Sequence, residues 1–166
     1  MKGKIIVFTG NGKGKTTASF GMALRAAGHG KKVIIIQFLK KGEYGEIKAL
    51  KEIGIEVHQF GKRQFVFEPN EKDMEKAAKA LSIAKEKLNE QPFMLILDEI
   101  NIALSMHIIK LEDVIDLIEK RGETHVVLTG RNAPQEIIEI ADLVTEMKKI
   151  KHYYDKGEEA EEGIEY

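Results

Sequence analysis

The stretch Lys4-Ile5-Ile6-Val7-Phe8-Thr9-Gly10-Asn11-Gly12-Lys13-Gly14-Lys15-Thr16-Thr17 decides the fold. Lys4–Phe8 is a short apolar run and reads as a buried strand. Lys15–Ala27 carries helical apolar spacing, and Gly28 and Gly30 act as stop signals after it. Between strand and helix stand Gly10, Gly12 and Gly14, which tolerate positive φ and leave bare backbone for a ligand to approach. The amides of Gly12 to Thr16 can point inward as an anion nest, and the start of the helix adds a positive dipole end. Lys15 supplies a mobile cation, and the Thr16 hydroxyl is placed to ligate Mg²⁺. A phosphate-binding loop running Thr9, Gly10, Asn11, Gly12, Lys13, Gly14, Lys15, Thr16, Thr17 follows. The general pattern begins with glycine where this chain has Thr9, so the first corner is expected to turn differently.

Working outward, apolar runs alternate with amphipathic stretches. Val33–Phe38, Ile55–Phe60, Phe93–Leu97, Thr124–Leu128 and Leu143–Ile150 read as further strands. Glu46–Ile53, Ile100–Met106, Leu111–Arg121 and Pro134–Ile140 read as helices, the last starting on its proline. Asn70, with Asp73 three positions on, reads as the cap of a long helix ending near Leu88. Strands alternating with helices imply a mostly parallel sheet in a three-layer α/β/α domain, phosphate-loop NTPase-like and RecA-like in kind. Neither a linker nor an internal repeat is visible, so residues 1–166 form one expected domain. Residues 155–166 hold six acids and one lysine, and on composition alone would fray.

Charge is unevenly spread along the 166 residues. The first 42 residues carry nine Lys or Arg and no Asp or Glu, while the remainder is acidic, and the net charge is −1. A basic first quarter points to an anion site there. The chain has no cysteine, which excludes a disulfide scaffold, a thiolate metal site and a thiol nucleophile. At 43% hydrophobic residues it is too apolar to be disordered. Its apolar runs are too short for a membrane span or a signal-peptide core, so no membrane association and a cytoplasmic location are expected.

Phe93-Met94-Leu95-Ile96-Leu97-Asp98-Glu99 is an apolar strand ending in two acids, the expected Mg²⁺ partner of a phosphate loop. A helix-capping Asp98 is the plainer alternative. His29, His58, His107, His125 and His152 show no metal-ligand spacing. Phe60, Phe65 and Phe67 cluster around Lys62 and Arg63. Such a group either packs into the core or stacks a planar ligand or nucleic-acid bases. On the loop and the acidic strand alone, an ATP-hydrolysing switch or kinase remains open. So does a RecA-like nucleic-acid-binding module, against which the net charge of −1 argues.

The chain as a whole resembles the ATP:corrinoid adenosyltransferases of the cobalamin pathway. The resemblance rests on Thr9–Thr17 with its displaced glycine, Ala23-Leu-Arg-Ala-Ala-Gly-His-Gly30, Gln37-Phe38, Lys41-Gly-Glu-Tyr-Gly-Glu46 and Leu97-Asp-Glu-Ile100. Leu128-Thr-Gly-Arg-Asn-Ala-Pro134, Ala141-Asp-Leu-Val-Thr-Glu-Met147, Lys151-His152 and Gly163-Ile-Glu-Tyr166 follow in family order. It implies transfer of the 5′-deoxyadenosyl group of ATP to cobalt(I) of a reduced corrinoid, with tripolyphosphate leaving whole. It further implies that Gly10 to Thr16 hold the leaving group, with Arg25 as a nearby cation. Mg²⁺ would sit on Thr16 and Glu99, with Asp98 as a further candidate. Phe65, Phe67 and Arg131 would face the corrinoid, although the second aromatic is usually Trp in the family. The resemblance also implies a homodimer, a flavodoxin-like electron donor and no nucleic-acid partner, with residues 151–166 packing on the site. Many members carry a segment before the first strand that covers the corrinoid. Here the strand begins almost at Met1, so that coverage is expected to differ.

Overall fold

The computed structural model describes residues 1–62 and 68–166. Six strands form one sheet: β1 (Ile5–Thr9), β2 (Val33–Lys40), β3 (Glu56–Lys62), β4 (Met94–Asp98), β5 (His125–Thr129) and β6 (Leu143–Glu146). Their order is β3-β2-β4-β5-β1-β6, and every pairing is parallel. The helices are α1 (Lys15–Gly28), α2 (Gly45–Glu52), α3 (Glu71–Leu88), α4 (Ile100–Ser105), α5 (Leu111–Glu119) and α6 (Gln135–Ile140).

Period-two alternation builds two cores, one on each side of the sheet. Ile34, Ile36 and Phe38 of β2 and Leu95 and Leu97 of β4 face one side. There they meet Ala77, Ala80, Leu81, Ala84 and Leu88 of α3, Ala103 and Leu104 of α4, and Val114, Leu117 and Ile118 of α5. Val33, Ile35, Met94 and Ile96 face the other side, against Phe20, Ala23 and Ala26 of α1 and Ile47 and Leu50 of α2. Burial on both faces explains why these strands read as continuous apolar runs. The buried positions of α3 recur at three- and four-residue intervals, so one stripe of the helix meets the sheet. Its N-terminus is closed by reciprocal bonds: the Asn70 side chain accepts from the Asp73 amide, and Asp73 accepts from the Asn70 amide.

Several boundaries shift by one or two residues, and the end of β6 and the start of α6 differ from the sequence reading for physical reasons. β6 ends at Glu146, not near Ile150. Its partner β1 ends at Thr9 and turns into the glycine loop, so the ladder has nothing further to pair with. Pro134 caps α6 from extended backbone, and the helix proper starts at Gln135. The acidic end carries structure of its own. A 3₁₀ turn covers Tyr153–Lys156, and Glu165 returns to bond Lys13 Nζ at 2.7 Å.

Candidate functional site

Parallel pairing places every strand's C-terminal end along one edge of the sheet, where ligands of open α/β sheets bind. The glycine loop leaves β1 at that edge. Gly10 takes φ of +94°, and a Cβ there would lie 2.5 Å from the Met147 carbonyl oxygen, so only glycine fits. Gly14 takes φ of +112° and is the residue from which α1 starts. The Thr9 hydroxyl accepts from the Ala133 amide at 3.1 Å, which closes the first corner where the general pattern has glycine.

The amides without a backbone acceptor begin at Lys13, not at Gly12. The Gly12 amide donates to the Met147 carbonyl at 2.6 Å and is not free for a ligand. Among the described residues no backbone carbonyl accepts from Lys13, Gly14, Lys15 or Thr16. Four donors without a backbone acceptor at the head of a 14-residue helix have the chemistry to receive an anion. Lys15 Nζ donates to the Gly12 carbonyl at 2.7 Å, which keeps the ammonium folded against the loop. Burial lowers the Lys15 pKa and nearby Arg131 lowers it further, while Glu99 and Asp98 work in the opposite direction.

The acids arrive from β4. β5 lies between β4 and β1, so Asp98 is reached across an intervening strand. Asp98 is 0% exposed. Its Oδ1 accepts from the Thr16 hydroxyl at 2.9 Å and from the Thr129 hydroxyl at 2.7 Å, and its Oδ2 accepts from Gln37 Nε2 at 2.8 Å. Glu99 follows in a left-handed conformation, φ +64°, with its amide donating to Thr129 Oγ1 at 3.0 Å. A non-glycine residue held there costs on the order of 1–2 kcal/mol, a strain that clusters at functional sites. The Glu99 carboxyl is pushed up to about 7 by burial first and by neighbouring Asp98 second. Lys40, Lys15 and Arg131 act against that rise, so three cations lie within electrostatic reach of Glu99.

The donors suit a hard cation. Because the Thr16 hydroxyl gives its proton to Asp98, its lone pairs remain for a metal. Glu99 adds a half-buried carboxylate. Among the described residues there is no group of three or more His, Cys, Asp or Glu able to hold an ion without help. Mg²⁺ has no need of one, since it takes one or two protein oxygens and completes its shell with water and phosphate.

Thr9, Gly10, Asn11, Gly12, Lys13, Gly14, Lys15, Thr16 and Thr17 thus gather with Asp98 and Glu99, and Arg131 lies within electrostatic reach. Arg25 does not join them within this chain. It is exposed in the last turn of α1, ten residues beyond Lys15, or about 15 Å along the helix axis. Phe65 and Phe67 lie outside the described residues. Phe60 packs against the α3-side core, which favours the packing reading for that ring. A surface cavity of about 310 Å³, lined by Lys31, Lys32, Gly54 and Glu56 among others, lies where β2 and β3 begin, at the opposite edge, and holds none of these groups. Gln37, Gln59, Thr129 and Met147 contact the site without having been assigned a role from sequence. The available signal was a glutamine inside the aliphatic strand Val33–Phe38.

An all-parallel sheet, a glycine loop opening a helix, and a strand-end carboxylate bonded to that helix's first threonine define a phosphate-loop NTPase-like fold. Within that class the family model for ATP:corrinoid adenosyltransferase BtuR/CobO/CobP matches residues 1–166. The chain belongs to this family of transferases. It is 44% identical to the corrinoid adenosyltransferase of Sinorhizobium sp over 99% of this chain and 81% of the relative. It is 40% identical to the corrinoid adenosyltransferase of Escherichia coli K12, and also to the corrinoid adenosyltransferase CobA of Salmonella typhimurium. Each of those two matches covers 99% of this chain and 86% of the relative. No helix among the described residues is long and apolar enough to cross a membrane.

Proposed function

We propose that this chain transfers the 5′-deoxyadenosyl group of ATP to cobalt(I) of a reduced corrinoid and releases tripolyphosphate. The observation that carries the reading is the junction of four free amides, Lys13 to Thr16, with the Thr16–Asp98 bond. It provides for a polyphosphate and a hard cation but for no protein nucleophile. In the reaction the cobalt lone pair forms the Co–C5′ bond. The C5′–O bond breaks, and its electron pair leaves on the triphosphate oxygen. Cobalt(I) is the nucleophile, so the protein's work is placement and charge compensation.

Lys15 and the amides of Lys13 to Thr16 hold the triphosphate. Thr16 and Glu99 are the residues for Mg²⁺, which when bound neutralises charge on the leaving group. Asp98 orients the Thr16 hydroxyl, since both of its own oxygens are occupied. Arg131, exposed after β5, is proposed to meet the corrinoid. Phe65 and Phe67 are proposed, on family resemblance, for the apolar side of the corrinoid. A homodimer, in which Arg25 would serve outside its own chain's loop, and a flavodoxin-like electron donor belong to the same reading.

The test is incubation with ATP, Mg²⁺ and chemically reduced corrinoid. Light-sensitive adenosylated corrinoid and tripolyphosphate in equal amounts are expected. ADP and orthophosphate without adenosylated corrinoid would instead establish a phosphate-loop hydrolase.

A further inference from the structure

On the α1 side of the sheet, four neighbouring strands change character at the same level. Val57, Ile35, Ile96 and Val127 stand in register across β3, β2, β4 and β5 and form an aliphatic row. Two residues further along each strand, on the same face, stand Gln59, Gln37, Asp98 and Thr129. Gln37 is in register with both Gln59 and Asp98. The row is hydrogen-bonded from end to end, and its donors converge on Asp98. Gln59 Nε2 donates to Gln37 Oε1 at 2.8 Å, and Gln37 Nε2 donates to Asp98 Oδ2 at 2.8 Å. Thr129 and Thr16 donate to Asp98 Oδ1. At the far end Gln59 Nε2 also donates to the Gly42 carbonyl at 3.1 Å, in the loop that follows β2.

A row that served packing alone would be aliphatic, like the row beneath it. Gln37 is 0% exposed, and a buried amide is tolerated only where its partners are complete. The polar row occurs where α1 brings Thr16 over the sheet. We infer that Gln37 and Gln59 are positioning residues for the cation half of the site. They aim the Asp98 carboxylate at Thr16, and they tie that aim to the backbone of the loop at Gly42. Both act through Asp98. Chains of aligned donors polarise one another, so a defect at Gln59 reaches Asp98. This inference rests on the reading of Thr16 and Glu99 as the Mg²⁺ site.

The test uses the full chain and isothermal titration with ATP, once with Mg²⁺ and once with EDTA. The quantity read is the gain in ATP affinity on adding Mg²⁺. Gln37→Met keeps the side chain's length and removes its hydrogen bonds. Its Mg²⁺-dependent gain is expected to shrink roughly tenfold, the scale of outer-shell effects on bound metals, while affinity in EDTA stays at the wild-type value. Gln59→Met is expected to lose less, in the same direction. Val57→Ala, in the aliphatic row, is expected to lower the melting temperature and leave the gain untouched, which a purely structural role for the glutamines would also predict of them. Should Gln37→Met not fold, Gln59→Met on the edge strand decides alone. A wild-type gain in folded Gln37→Met, or in Gln59→Met where that variant decides, overturns the inference and leaves the site reading standing. A wild-type protein whose ATP affinity ignores Mg²⁺ overturns the site reading, and the inference with it.

Discussion

Thr16 Oγ1 stands 2.9 Å from Asp98 Oδ1, a bond between residues 82 apart in the chain that joins α1 to the end of β4. It sets which way the threonine proton points and therefore which lone pairs a cation meets. Thr16→Ser should keep most adenosylation activity. Thr16→Val, of similar shape, should lose at least 100-fold in kcat, because it removes the oxygen offered to the cation together with one of the three side-chain hydrogen bonds to a buried carboxylate, a bond worth about 1.5–3 kcal/mol. Steady-state rates across a Mg²⁺ titration check this, with Thr16→Val gaining little from excess Mg²⁺.

Lys15 is folded onto the loop through the Gly12 carbonyl, whereas Lys13 is paired with Glu165 at the surface. Lys15→Met should therefore weaken ATP binding more than Lys13→Met. Loss of a charge-assisted hydrogen bond is worth about 1.5–3 kcal/mol, or roughly 10- to 100-fold in affinity. Titration with ATP in EDTA isolates this effect from the cation. Equal losses in the two variants would contradict the loop geometry.

Glu99 carries a pH signature. Its folded pKa is near 7, raised above its ordinary value of 4.5 by burial and by Asp98. Between those values the folded state holds a proton that the unfolded state releases, so the contribution of this group to stability falls as pH rises from about 4.5 to about 7. Glu99→Gln does not titrate. It should be more stable than wild type above pH 7, by on the order of 1–2 kcal/mol after allowance for its partial exposure, and melt correspondingly higher. That advantage should vanish near pH 4. Melting curves without Mg²⁺ or nucleotide measure it, and an unchanged difference across the range would show that Glu99 is ionised throughout. The same variant should lose activity, as strained functional positions commonly trade stability for chemistry.

Asn70 tests the scaffold independently of the site. Asn70→Ala removes one half of the capping box of α3 and should destabilise the fold by about 1 kcal/mol. Urea unfolding checks this with the slope unchanged. Turnover per folded molecule should match wild type.

The features that local sequence revealed were those with short-range causes. Gly10, Gly12 and Gly14 announce a tight loop, Asn70 and Asp73 announce a cap three residues apart, and the apolar run before Asp98 announces a buried strand. The features it missed depend on which strands become neighbours. Gln37 meets Asp98 and Gln59 only because parallel pairing sets them in register across stretches of 61 and 22 residues. Nothing near Gln37 announces either partner. Arg25 shows the converse, that nearness in sequence is not nearness in the fold. It is close to the loop in sequence, but the rise of α1 carries it to the other end of the helix. Met147 to Ile150 look strand-like in sequence, but β1 runs out beside them and β6 ends at Glu146.

The place of β5 between β1 and β4 has one more consequence. The strand that launches the loop and the strand that delivers the acids are separated by two interstrand spacings, about 9–10 Å. That width is held by main-chain ladders and not by any side chain. Substitution at the rim can alter what lines the gap, but it cannot narrow or widen the gap itself. The sheet thus acts as a fixed gauge. Selection is free to retune the chemistry of the rim without recalibrating the distance at which loop and acid face each other.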